Sequence, residues 1–223
     1  MTSEQNRTLA KRNLVDSLWK EANLEGIAVT YPETGEIFEG RTVAGLTLIE
    51  TKAINNLKHA WEFTLDTRDA DIDLRYVRQL NKLIGQEGVI PGAGEIRQYS
   101  VPIGGTAWRP AIPAAESVAA TLEQIRAIPE PTERALELFC KTCRGQWFND
   151  GNKRTAQLAA NAVLIACGCG ILAIPIKAKL QFGELLIAYY ETDNPSKLKA
   201  FLYEKAIDGA NMEPTRGLEP LTC

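Results

Sequence analysis

From Thr155 to Ala166 the chain carries no charged side chain, and most of its residues are alanine and leucine, which favour helix. A helix without charge on any face has little to offer water, so this run predicts a buried helix. The uncharged stretch continues from Leu158 to Ile176, a length that approaches a membrane span. Asn161, Gly168, Gly170 and Pro175 interrupt it, and a loop crowded with charge precedes it. A buried core helix that ends at the glycines is therefore the expected reading. A chain of 223 residues is long enough for one substantial core, and a single main domain is expected.

The loop before this helix reads Gln146-Trp147-Phe148-Asn149-Asp150-Gly151-Asn152-Lys153-Arg154-Thr155. The first N–H groups of a helix lack intrahelical partners and the helix dipole adds positive charge there, so an anion is welcome at that end. Gly151 lets the backbone approach a ligand closely or adopt a positive φ. Lys153 and Arg154 add full charges, and Arg154 offers a planar donor fork for phosphate oxygens. Asp150 stands where a divalent ion shared with phosphates would want a carboxylate. Together these residues make a candidate polyphosphate site. A helix start with an acidic residue and solvated cations would account for the same spacing.

This stretch resembles the signature of the Fic family, His-x-Phe-x-Asp/Glu-Gly-Asn-Gly/Lys-Arg-x-x-Arg, at Phe148, Asp150, Gly151, Asn152, Lys153 and Arg154. The family's members mostly transfer AMP from ATP to a protein hydroxyl, and its Doc branch transfers phosphate. The resemblance implies an all-α fold, a Fic-like helical bundle with a β-hairpin flap. It also implies ATP and magnesium as ligands, with Gly151, Asn152 and Lys153 along the anion-binding turn, Arg154 on a distal phosphate and Asp150 on the metal. Two positions depart from the pattern: the family's histidine falls on Gln146 and its second arginine on Gln157. A glutamine amide has no usable basicity near neutral pH, so Gln146 cannot remove the proton of an attacking hydroxyl. Three readings stay open: a nucleotide-binding but catalytically degenerate protein, an active transferase of altered chemistry (AMP or Doc-like phosphate transfer), and a helical interaction module without nucleotide.

In chain order, helices are expected over Thr8 to Leu24, Glu50 to Thr64, Asp71 to Ile84, Glu116 to Ala127, Pro131 to Cys143 with Thr132 as cap, Lys177 to Tyr190, and Pro195 to Lys205. Pro32-Glu33-Thr34-Gly35 reads as a turn. The segment Glu95 to Ile103, with Ile96, Tyr99, Val101 and Ile103 among polar residues and Gly104-Gly105 behind them, reads as a hairpin. Gly94-Glu95-Ile96-Arg97 and Val101-Pro102-Ile103-Gly104-Gly105 resemble the pattern of the Fic flap, which implies a target protein segment docking along Val101, Ile103, Gly104 and Gly105 by strand addition. The family also has a Ser/Thr-x-x-x-Glu-Gly/Asn motif whose glutamate pairs with the second arginine and blocks productive ATP binding. Gly35 to Gly40 resembles it, which makes Glu39 the candidate inhibitory residue and Glu50 its competitor. With Gln157 in place of arginine, that ion pair loses its usual partner.

Domain bounds follow from these readings: an N-terminal helix and turn over 1–34, a Fic-like domain over 35–208, and a tail over 209–223 whose prolines and sparse apolar residues predict disorder. A formal charge of −3 argues against a general nucleic-acid binder. The polar start, Met1 to Arg7, shows no secretory signal, and a cytoplasmic location without membrane association is the expectation. Cys140 and Cys143, with Cys167 and Cys169, could in principle form a four-thiolate zinc site. Their placement within predicted helices favours structural thiols. The single histidine, His59, lies on a distant predicted helix and is read as structural or surface. The sequence does not specify an oligomeric state.

Overall fold

The uncharged run lies within the helix α8, Asn152–Cys167, and every residue from Arg154 to Ile165 in it is buried. The computed structural model describes residues 1–69 and 71–209, so most of the tail expected to be disordered lies outside the described residues. The helix stops at Gly168, whose φ of 74° suits the left-handed residue of a helix end. Elsewhere the described chain folds into α1 (Ser3–Arg12), α2 (Leu14–Leu24), α3 (Tyr31–Phe38), α4 (Leu48–Asp66), α5 (Leu74–Gly85), α6 (Ala115–Arg126), α7 (Pro131–Gly145), α9 (Lys179–Thr192) and α10 (Ser196–Ala206). Two short strands, β1 (Ile171–Leu172) and β2 (Ile207–Asp208), pair antiparallel.

α8 is surrounded, most extensively by α7 and then by α5, α1, α4 and β1. Apolar stripes on these neighbours meet it, including Leu57 and Trp61 of α4, Val77 and Leu80 of α5, and Leu138 and Phe139 of α7. Buried amides join the layers where an apolar side chain would leave backbone groups unpaired. Asn161 of α8 exchanges two hydrogen bonds with the backbone of Leu172, and Asn6 of α1 does the same with Gly170. A second, smaller cluster, Ala22, Val29, Ile37 and Ile54, holds α2 and α3 against α4. The mostly helical fold thus agrees with the expected all-α class, and among the described residues no helix is long and apolar enough to cross a membrane.

Several local expectations are corrected. The helix expected from Thr8 begins at Ser3, where Thr2 and Gln5 form a capping box, and Asn13 divides it by bonding its side chain back to the carbonyl of Leu9. Pro32 sits in the first turn of α3 and not in a reverse turn, since Thr30 and Glu33 form a capping box and a missing N–H costs nothing there. α7 is capped by Glu130, which accepts from the N–H of Glu133, and not by Thr132. The expected β-hairpin is absent among the described residues: Ile96 makes an isolated antiparallel bridge to Phe148, and the chain from 97 to 113 is irregular apart from the turn at Gly104-Gly105.

Candidate functional site

The loop between α7 and α8 is held from four sides. α7 ends at Gly145, where an added Cβ would lie 2.2 Å from the Trp147 ring nitrogen, and Gln146 then turns left-handed at φ 44°. Asn152 closes the loop on itself, accepting from the N–H of Phe148 and donating to its carbonyl, each at 2.9 Å. The Phe148 ring is buried at 1% exposure and anchors the turn. Asn81 of α5 donates to the carbonyl of Asp150 at 2.9 Å and to Thr155 Oγ1 at 3.2 Å, and accepts from the N–H of Gly94 at 2.8 Å. Arg97 has no carboxylate partner among the described residues; its guanidinium donates to the carbonyls of Gln146, Tyr99 and Ala111. One buried cation therefore ties the flap segment and the stretch after it to the start of the loop.

Gly151 has a φ of 75°, and an added Cβ would stand 2.9 Å from Ile90 Cδ1 and 3.1 Å from Asn81 Nδ2. Gly151→Ala is therefore expected to lower stability by about 1–3 kcal/mol through left-handed strain and overpacking, read as a lower midpoint in denaturant at unchanged slope.

The structure brings Asp150, Gly151, Asn152, Lys153 and Arg154 together at the N-terminus of α8. Asp150 is exposed; its Oδ1 accepts from the Gly151 N–H at 2.6 Å and its Oδ2 lies 3.3 Å from Arg154 Nη2. Each oxygen keeps lone pairs for a hard cation. Among the described residues no group of three or more ligating side chains stands close enough to hold a metal, so a magnesium ion here would take one carboxylate and otherwise oxygens from phosphate and water, a set that suits it. Arg154 is buried, whereas Lys153 keeps 41% of its side chain exposed. Glu25, at the end of α2, places Oε1 3.1 Å from Lys153 Nζ and Oε2 3.5 Å from Arg154 Nε. One carboxylate thus bridges both cations of the expected anion site.

A turn earlier on α2, Glu21 is buried at 2% exposure. Its Oε1 accepts from Trp61 Nε1 at 2.9 Å and from Gln157 Nε2 at 2.8 Å. Burial pushes this carboxyl up to about 8, although the bond from Trp61 opposes the rise. Glu39, the inhibitory candidate, is not at the loop: it is exposed at the end of α3. Glu50 caps α4 by bonding Thr47. Glu21 and Glu25 were missed because α2 reads as an ordinary amphipathic helix with its acids on the polar face. A usable signal exists in Ser17-Leu18-Trp19-Lys20-Glu21-Ala22, which keeps the serine and the glutamate of the inhibitory pattern, whereas Gly35 to Gly40 lacks the first.

Gln146 spends its amide locally. Nε2 donates to the carbonyl of Cys143 at 2.7 Å and lies 3.5 Å from the Tyr190 hydroxyl, while Oε1 accepts from Asn152 at 3.2 Å. The flap residues Val101 and Ile103 are half-buried, and Gly104 and Gly105 form the exposed turn. This turn rests on α9, where an added Cβ at Gly105 would meet Ile187 at 2.8 Å and Thr106 bonds Glu191 at 2.7 Å. His59 shares a hydrogen bond with Gln86 on the far side of α4. Cys140 and Cys143 are buried in α7, and burial drives the Cys140 thiol up to about 12.

The domain is thus an apolar helix fed by a stapled loop, with two cations and an acid at its N-terminus and an irregular segment beside it. Residues 71–164, which run from just before α5 into α8 and include the flap and the loop, match the model of the Fic/DOC family. That stretch is thus similar to the Fic/DOC family. Solved structures with the same fold include Fic-1 (residues 134–508) from C. elegans, at TM-score 0.69 and 20% identity over 88% of this chain and 61% of that one. A Fic domain containing signaling protein from Bacteroides thetaiotaomicron aligns at TM-score 0.68 and 22% identity, over 82% of this chain and 73% of that one. A Fic family protein from Desulfovibrio desulfuricans G20 aligns at TM-score 0.71 and 17% identity, over 89% and 64%. The chain therefore spans less than two thirds of the C. elegans and Desulfovibrio chains. No curated protein sequence matches it.

Proposed function

We propose that the chain binds a nucleoside triphosphate, ATP with magnesium, at the N-terminus of α8, and that it transfers AMP to protein hydroxyls weakly or not at all. The observation that carries the reading is Glu25, an anion of this chain's own seated on Lys153 and Arg154. A place that holds one carboxylate between two cations, beside the start of a helix, has the charge that a phosphate needs. Asn152, Lys153 and Arg154 would hold the phosphates, with Gly151 giving the close approach and Asp150 taking one position on magnesium. The metal would supply charge neutralisation to the phosphates when bound.

The chemistry is weak at one point. A hydroxyl attacking the α-phosphate must lose a proton, and Gln146 offers an amide already bonded to Cys143 and Asn152. This favours a degenerate site over an active transferase. The target segment is proposed to lie along Val101 and Ile103 beside the Gly104-Gly105 turn, where the irregular backbone has unpaired groups to offer an extended peptide.

α2 closes the site as it stands. Glu21, Glu25, Lys153, Arg154 and Gln157 line a cavity of about 10 Å³, room for roughly one water molecule and far too small for a triphosphate. Binding therefore requires the end of α2 to move. Calorimetry with ATP and magnesium tests the reading: affinity is expected to fall at least about tenfold in Arg154→Ala, the loss of one charge-assisted contact. Binding that ignores this substitution, or no binding even when Glu25 is removed, contradicts it.

A further inference from the structure

This inference rests on the reading of α8's N-terminus as a nucleotide site closed by α2. Glu21 reaches α8 and α4 through neutral donors alone, the Trp61 indole and the Gln157 amide, and both meet the same oxygen. Its other oxygen, Oε2, is buried and has no hydrogen-bond partner, and Arg154 Nε is likewise buried without one. Glu21 and Arg154 line the same small cavity. The charged groups facing it are Glu25 from the same helix and Lys153 and Arg154 from α8, and both of these cations are already engaged by Glu25. α7 and α9 contribute Phe139 and Phe182 to the lining, and α4 contributes the Trp61 N–H. A buried carboxyl that meets two neutral donors, with a second carboxylate one turn away, is more stable as the acid than as the anion. Its shift to about 8 follows the same causes, burial first.

We propose that α2 docks over the loop by taking up a proton on Glu21, so that the plug is a proton-dependent gate on the nucleotide site. The balance is simple. Undocked, Glu21 is in water and ionised above its ordinary value of 4.5; docked, it holds a proton up to about 8. One proton enters from solvent on docking and returns on release. Docking is at its strongest below the ordinary value, weakens as pH rises from there to about 8, and changes little above it. Each pH unit inside that window is worth up to about tenfold in the docking constant, and a nucleotide that competes with α2 gains what docking loses.

Two measurements test this. In a carboxyl-carbon NMR titration of the full chain, with Glu21 assigned through Glu21→Gln, its midpoint is expected near pH 8; a midpoint among ordinary glutamates overturns the gate. In ATP–magnesium titrations at pH 6 and pH 8, wild-type affinity is expected to rise by about tenfold or more relative to Glu21→Gln, which cannot ionise. Parallel pH profiles overturn the coupling. If neither protein binds ATP at either pH, the nucleotide reading fails, and the NMR titration still decides whether docking carries a proton.

Discussion

Placing histidine at position 146 in a chain that also carries Glu25→Ala is expected to raise transfer of labelled AMP from ATP to protein by about 10²- to 10⁴-fold over Glu25→Ala alone, the usual contribution of a general base. The loop that would present this base is already built. Phe148 is anchored in the core, Asn152 clips the loop to itself, and Arg97 fixes the carbonyl of residue 146. What is missing is basicity at one side chain, since an amide neither accepts nor gives up a proton near neutral pH. The Glu25→Ala background matters because a plugged site would hide the gain. Equal labelling by the two chains would show that another group supplies the base and that the site is not degenerate.

Glu25→Ala by itself is expected to tighten ATP–magnesium binding by about ten- to hundredfold. The carboxylate contacts two cations, and hydrogen bonds to charged groups contribute about 1.5–3 kcal/mol, with tenfold corresponding to about 1.4 kcal/mol. Arg154 is 8% exposed, so removing Glu25 leaves a largely buried charge with the exposed Asp150 carboxylate as its remaining partner among the described residues. The free protein should therefore melt at a lower temperature than wild type and recover when ATP is added. Glu39→Ala, at the exposed end of α3, is expected to change neither quantity. Calorimetry and thermal melts check both. Affinity unchanged by Glu25→Ala would mean that the carboxylate and the nucleotide do not share a place.

Local signals in this chain are legible from the sequence, and those that depend on what packs where are not. α8 was legible because no charge interrupts it, and its end was legible because Gly168 and Gly170 follow. Asp150 and the two cations do stand at the start of α8, where charge and glycine chemistry put them. α3 was not, because Pro32 and Gly35 look like a turn until Thr30 and Glu33 are recognised as a reciprocal cap. The flap's alternation of apolar and polar residues suggested paired strands, but Ile96 finds its backbone partner in Phe148, a residue far along the chain that no local pattern names. Glu21 and Glu25 were hidden for a similar reason. Nothing within α2 tells that its C-terminal turn faces the start of α8, and only that placement brings the two acids against Lys153, Arg154 and Gln157.

The central claim is that phosphate binds where Glu25 now sits, at the N-terminus of α8. A crystal structure of Glu25→Ala grown with ATP and magnesium tests this most directly. Phosphate oxygens are expected on the N–H groups of the first turn of α8 and on Arg154, with a metal ion at Asp150 and the end of α2 displaced from the loop. Nucleotide bound elsewhere, with the end of α2 still closing over Lys153 and Arg154, would contradict it.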